Sequence, residues 1–200
     1  MVLKKINKSD ILKIYKREQD YLLKAIKKAK DPYHIFSLST INNHHPESRI
    51  VVLRNVQINP LKLYFNSDIR SPKSIQLKKD RVCSALFYDQ IRKVQLRFKC
   101  EVNIHYDNDI SKIAWNKTAL QSRKCYMAPF NPSSRIESWH PNIPIDCIDR
   151  DPTLDESNLG YNNFMHIELN IIKADILELH YDGHVRFEVL ENNEINFLSA

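Results

Sequence analysis

From Val94 to Ile104 apolar and polar residues alternate without a slip. Val94, Leu96, Phe98, Cys100, Val102 and Ile104 take one side, and Gln95, Arg97, Lys99, Glu101 and Asn103 the other. A helix repeats every 3.6 residues and cannot present that pattern; a strand repeats every two and buries one face. The chain must therefore contain a sheet with one apolar and one polar face. The polar face is free to meet a ligand or a second subunit.

The same reading extends to both sides. Residues 34–41 (HIFSLSTI) place Phe36, Leu38 and Thr40 against Ile35, Ser37 and Ser39. The Asn- and Pro-containing NNHHPES is a turn, with His44-His45 a solvated pair. Residues 48–58 are dense in β-branched side chains and read as one long strand. Asn59-Pro60 turns the chain into a third strand, 61–67, and 81–89 is another. Beyond residue 163 the pattern returns as FMHIELNII, ADILELHY, HVRFEVL and EINFLSA, with a turn at Asp182-Gly183. Sequential strands of this kind favour a closed or split antiparallel barrel over a parallel α/β sheet.

Helices are fewer. Residues 9–30 form an amphipathic N-terminal helix with Ser9 as cap. Ile11, Leu12, Tyr15, Leu22, Ile26 and Ala29 fall on one stripe, and Asp31-Pro32 ends it. Ser71-Pro72 starts a short helix over 71–80, and 107–120 is a third. Residues 127–162 carry Pro129, Pro132, Pro141, Pro144 and Pro152 and few apolar runs, so they read as a long irregular loop able to act as a lid or an inert excursion. The whole is expected to be one domain spanning 1–200.

Glycine narrows the function. Gly160 and Gly183 are the only two in 200 residues. Phosphate loops and dinucleotide fingerprints need several glycines to bring backbone N–H groups to the phosphate, so neither can be built. A bound phosphate must be held by side chains. Arg49, Arg54, Arg70 and Lys73 supply four cations among Asn66, Ser67 and Ser71. If Ser71 caps a helix, Lys73 sits beside its free N–H groups, a good place for a dianion.

Other classes fall away. Cys83, Cys100, Cys125 and Cys147 are far apart with no C-x-x-C pair, and the eight histidines show no metal-ligand spacing. The cysteines read as reduced. No apolar run reaches the length of a membrane span, and MVLKKINKSD lacks a signal-peptide core; a cytoplasmic protein is expected. The charge of +6 lies largely in the first 30 residues, from Lys4 and Lys5 to Lys30. It reads as a solvated helix face or a nucleic-acid footprint; the strands lack the aromatic pattern of RNA-binding sheets.

The order of these pieces resembles the pyridoxamine 5′-phosphate oxidase-like family, the FMN-binding split barrels. An Arg-led apolar strand ends in a basic residue (Arg49 to Arg54). An aromatic strand ends in Asn66-Ser67 and leads to Ser71-x-Lys73. Gln95 follows 22 residues later. A helix with Trp115 then runs to Arg123 and Tyr126, and ADILELHYDGHVRF resembles the family's last motif, with Arg186 at its flavin-contacting arginine. The resemblance implies a homodimer with FMN at the interface. Arg49, Arg54, Asn66, Ser67, Lys73 and Gln95 would contact FMN from one subunit and Arg186 from the other, against a small-molecule substrate.

The departures concern the substrate. The oxidases' S-R-K is Ser71-Pro72-Lys73 here, so Arg70 would stand in for the missing arginine. Of their R-x-H segment only His184 remains, with Asp182 at the Arg position, and their flavin-packing aromatic is Leu179. Arg123 and Tyr126 are the counterparts available for a substrate phosphate. Three readings follow: an FMN-dependent oxidoreductase of unassigned substrate, pyridoxamine 5′-phosphate oxidase proper being its narrow version; a non-enzymatic flavin carrier or sensor; and a nucleic-acid-binding barrel.

Overall fold

The computed structural model describes residues 6–200, which leaves Lys4 and Lys5 of the basic N-terminus outside it. Nine strands form one sheet with helices flanking it: β1 (Ile35–Asn42), β2 (His45–Val52), β3 (Asn55–Gln57), β4 (Lys62–Asp68), β5 (Val82–Asp89), β6 (Val94–His105), β7 (Phe164–Glu178), β8 (Val185–Leu190) and β9 (Ile195–Phe197). The strand order is β2-β1-β5-β6-β7-β4-β3, with β8 on β7 and β9 on β8. The chain divides into two compact units. Unit 1 holds residues 6–65, Val82–Val102 and Leu169–Ala200; unit 2 holds Asn66–Arg81 and Asn103–Glu168.

In unit 1 the alternation read from β6 is real. Val94, Leu96, Phe98, Cys100 and Val102 are buried, and Arg97, Lys99 and Glu101 are exposed. Phe36, Phe65, Phe87 and Phe98 form the centre of the core; Phe36 stacks on Phe87 at 4.8 Å and meets Phe65 edge-on at 6.0 Å. β1 and β2 are a hairpin closed by Asn43 and His44, both at positive φ (46° and 71°). That is the two-residue turn whose twist matches the strands.

The long strand expected over 48–58 is two. At Val52 it leaves β1: the Leu53 N–H donates to the His34 carbonyl, and the Arg54 N–H to the Tyr64 carbonyl on β4. Propensity is equally high on both sides of this change of partner. Conversely, the two strands expected over 164–181 are one 15-residue strand, β7.

The N-terminal helix α1 is Lys8–Ala25, shorter than expected at its end. Its cap is Asn7, not Ser9. The Asp10 N–H donates to the Asn7 side chain at 3.1 Å, and the Asn7 N–H to the Asp10 carboxylate at 3.2 Å, a reciprocal box satisfying two orphan donors. The last carbonyl, Ala25, accepts from Lys28 N–H and from His34 Nδ1–H at 2.8 Å, which closes the helix before Ile26. The buried stripe is Ile11, Glu18, Leu22 and Ala25; Leu12, expected on it, is 52 % exposed. Glu18, 1 % exposed, is the surprise. Its carboxylate accepts from Tyr33 Oη at 2.7 Å, Arg92 Nη1 at 2.7 and 2.8 Å and Arg17 Nε at 2.8 Å. Burial pushes the Tyr33 hydroxyl far above its ordinary pKa, with the Glu18 charge adding to it.

Unit 2 carries α2 (Pro72–Lys79), α3 (Asp109–Asn116), α4 (Leu120–Arg123) and α5 (Leu154–Asn158). The single helix expected over 107–120 breaks after Asn116. Thr118 donates its hydroxyl to the Ala114 carbonyl at 2.9 Å and its N–H to Trp115, which draws the turn tight. The unit's aromatic core is Trp115, Tyr126 and Phe164, with Ala114 and Tyr161 against it. A Cβ on Gly160 would lie 3.2 Å from Trp115 and 3.0 Å from Met127, so this glycine allows a close approach of chain to ring. Residues 127–162 are mostly irregular, but Ala128, Cys147 and Ser157 within them are buried.

Candidate functional site

The candidate residues divide between the units. In unit 2, β4 ends on Asn66-Ser67-Asp68 and the chain turns into α2. Here three serine hydroxyls converge. Ser67, Ser71 and Ser74 Oγ atoms lie 2.8–3.2 Å apart pairwise, with Ser71 and Ser74 both donating to the Asp68 carbonyl. Lys73 Nζ donates to Ser67 Oγ at 3.3 Å and Ser71 Oγ at 3.2 Å. An ammonium at the first turn of a helix suits an oxyanion, while the Ser71 and Ser74 hydroxyls already give their protons to the Asp68 carbonyl. Ser71 heads α2 as expected, but its hydroxyl serves the Asp68 carbonyl rather than a helix N–H.

Arg70 does not belong to that group. Its Nε and Nη2 clasp the Asp68 carboxylate at 2.7–3.2 Å, and Nη1 donates to the Ala128 carbonyl at 3.0 Å. All three nitrogens are engaged in holding the loop. Its neighbour across the cluster is one that sequence reading missed. His166 on β7 donates from Nδ1 to Asn66 Oδ1 at 2.7 Å. Burial, with His105 and Lys117 nearby, lowers the His166 pKa to about 4, against an opposing pull from Glu168. The ring is neutral at pH 7 and holds the Asn66 side chain with its amide nitrogen donating to Thr118 Oγ1 at 3.5 Å. The H-x-E run at 166–168 was the visible signal, but it sat inside an ordinary strand.

Arg123 and Tyr126 also make internal contacts. Arg123 is 3 % exposed and donates to the Thr118 and Trp115 carbonyls and to Ser157 Oγ at 2.9–3.0 Å, with its guanidinium 4.5 Å from the Trp115 ring. Tyr126 is buried in the aromatic core. Both are engaged within unit 2.

In unit 1, Arg49 stands opposite Leu38, so its side chain leaves β2 on the core face. Its Nη1 donates to Thr40 Oγ1 and to the Leu38 and Glu47 carbonyls, and Nη2 meets Glu47 Oε2 at 3.2 Å. Burial lowers its pKa, with Glu47 opposing. Arg54, past the change of partner, is exposed, and its guanidinium makes no hydrogen bond among the described residues. The break at Leu53 removes the difficulty that two residues five apart on a regular strand face opposite ways.

Gln95 and Arg186 lie on the other face. Gln95 stands opposite Tyr88, and Arg97, two residues on, opposite Leu86. Arg186 Nε and Nη2 meet the Asp175 carboxylate at 3.2 and 2.9 Å, and Arg97 meets the same carboxylate. Burial works to raise the Asp175 pKa, but the hydrogen bonds from Arg186 and Arg97 hold it below its ordinary value. Two guanidiniums on one carboxylate leave this face with a surplus positive charge. His184 is exposed in the turn before β8 and accepts from the His180 N–H at 3.2 Å.

Residues 17–106 match the family model described as pyridoxamine 5′-phosphate oxidase, FMN-binding domain. Over this segment the chain is similar to that FMN-binding domain. The match takes in Arg49, Arg54, the serine–lysine cluster and Gln95. Among solved structures, a pyridoxamine 5′-phosphate oxidase-related, FMN-binding protein from Nostoc punctiforme superposes with a TM-score of 0.70 at 17 % identity, over 93 % of this chain and 96 % of that one. PhzG from Burkholderia lata, solved with tetrahydrophenazine-1-carboxylic acid, gives 0.62 at 12 % identity over 98 % and 94 %. A Clostridium acetobutylicum protein related to general stress protein 26 gives 0.53 at 10 %, over 86 % and 96 %. At these identities the likeness is one of fold: the chain is a split barrel of the oxidase-like type, mainly β with flanking helices. No curated protein sequence matches it. Among the described residues no cluster suited to a metal ion is found, and no helix is long and apolar enough to cross a membrane.

Proposed function

We propose that the protein binds FMN and works as a flavin-dependent oxidoreductase on a small-molecule substrate. The observation that carries this reading is the Ser67–Ser71–Ser74 cluster with Lys73 at the head of α2, a side-chain phosphate cradle in a chain without a glycine loop. The Asn66 amide, aimed by His166, is a donor suited to a ring edge. As the resemblance implies, Arg49, Arg54 and Gln95 would contact FMN from one subunit and Arg186 from the other. The homodimer with FMN at its interface is part of the proposal. Bound FMN would supply the redox chemistry; the protein's own groups position it and set the charge around the ring.

Pyridoxamine 5′-phosphate oxidation proper is the less favoured version, because Arg123, Tyr126 and Arg70 are all committed to internal contacts. The test is the visible spectrum of the purified protein, with mass spectrometry of what heat releases. Released FMN, bleached by an added donor and recovered in air, supports an oxidoreductase. Bound FMN that no donor reduces makes it a carrier. A colourless protein that takes up no added FMN overturns the proposal.

A further inference from the structure

Cys83 on β5 and Cys100 on β6 are 17 positions apart in the chain and directly opposite in the ladder. Directly opposed residues of an antiparallel pair have Cα atoms about 4.5–5.5 Å apart, inside the range of roughly 4.4–6.8 Å that a disulfide spans. Both side chains leave the sheet on one face, and both are free thiols. A cleft of about 360 Å³ reaches them. It is lined by both cysteines and by Ser39, Thr40, Pro46 and Lys99 among others. Cys83 is 8 % exposed and Cys100 is fully covered. Lys99, exposed at the rim, makes no ion pair among the described residues.

We propose that Cys83 and Cys100 form a redox-active dithiol, oxidised through this cleft by a small anionic disulfide. The thiolate of Cys83, the more accessible of the two, attacks one sulfur of the disulfide. A Cys83 mixed disulfide forms and one thiol leaves. Cys100 then gives up its proton and attacks the Cys83 sulfur, closing Cys83–Cys100 and releasing the second thiol. Two protein thiols are oxidised by two electrons, and one small disulfide is reduced to two thiols. Burial and the neighbouring Cys83 push the Cys100 thiol well up, so Cys100 is the resolving and not the attacking member. Lys99 draws an anionic reagent to the rim. The inference does not depend on flavin binding.

The test uses the full-length chain with Cys125→Ser, which removes the exposed thiol that would otherwise react first. The protein is incubated with oxidised glutathione, its remaining thiols are alkylated, and a non-reducing digest is read by mass spectrometry. The expected result is one linked pair of peptides, carrying Cys83 and Cys100 and lighter by two hydrogens, which a reducing dithiol separates. With Cys100→Ser the glutathione adduct stays on Cys83; with Cys83→Ser no adduct forms on Cys100. Replacing oxidised glutathione by the cationic disulfide cystamine slows closure several-fold, and Lys99→Glu reverses that preference. If both cysteines of the otherwise unchanged chain alkylate as free thiols, or each carries glutathione without a link, the proposal fails.

Discussion

At the scale of single residues, burial decides which cations can serve a ligand. Arg123 has an ideal side chain for a phosphate, yet its three nitrogens satisfy two carbonyls and a hydroxyl inside unit 2. Arg123→Ala should lower unfolding stability by about 3 kcal/mol, since it orphans buried acceptors. Urea denaturation reads this, and FMN affinity measured well below the new midpoint should be unchanged. Lys73 differs, because its ammonium reaches the Ser67 and Ser71 hydroxyls at the head of α2. Lys73→Ala should weaken FMN binding about 10- to 100-fold, the loss of one charge-assisted hydrogen bond, with little change in melting of the apoprotein; fluorescence titration separates the two. His166 sets a pH limit. Its folded-state pKa is depressed to about 4 from 6.5, so the folded protein resists the proton that the unfolded chain takes up. Stability is complete above the unfolded value and falls as pH drops from about 6.5 to 4, by at most about 3 kcal/mol. Denaturation midpoints across that window should show the loss, and His166→Gln should flatten it.

At the scale of elements, the same polar logic fixes how α1 attaches. Its apolar stripe is short, and Glu18 in the middle of it is charged and buried. The carboxylate is tolerable because Arg17, Arg92 and Tyr33 all donate to it, and Arg92 in turn lies 3.8 Å over the Tyr21 ring and holds Asp89. Removing one partner of such a group leaves the others unpaired. Glu18→Leu should therefore cost about 3–5 kcal/mol although it adds an apolar side chain to an apolar stripe. Hydrogen exchange should report that loss in α1 and around Arg92. The stripe read from the sequence did not include Glu18, since periodicity locates apolar positions and cannot see partners 74 residues away. The helix end was misread for a similar reason: the donor that caps Ala25 is the His34 side chain, which becomes available only after the chain has turned.

At the scale of the whole molecule, the proposed dimer should appear in analytical ultracentrifugation as twice 23.6 kDa. Removing the positive charge from the Gln95–Arg186 face, by Arg97→Glu with Arg186→Glu, should shift it toward monomer and release FMN. A dimer that keeps its flavin after both changes would exclude that face from the interface. Within unit 1 Arg49 takes one face of the sheet while Gln95 and Arg186 take the other, so no single sheet face carries all the expected flavin contacts.

What the sequence determined by itself was everything local. The alternation from Val94 to Ile104 required a strand with one buried face, the Asn- and Pro-containing segment 42–48 required a turn, and two glycines in 200 residues excluded backbone phosphate loops. These follow from period, turn chemistry and the need of a glycine loop for glycine. The order of Arg49, Ser71, Lys73 and Gln95 also carried the resemblance to the FMN-binding split barrels. The tertiary structure alone decided where β2 leaves β1 for β4, which arginines are spent on internal acceptors, and that His166 orients Asn66. It alone set Cys83 against Cys100. Each depends on a partner distant in the chain. Strand propensity is the same on either side of Leu53, and a guanidinium looks identical in sequence whether it meets a carbonyl or water.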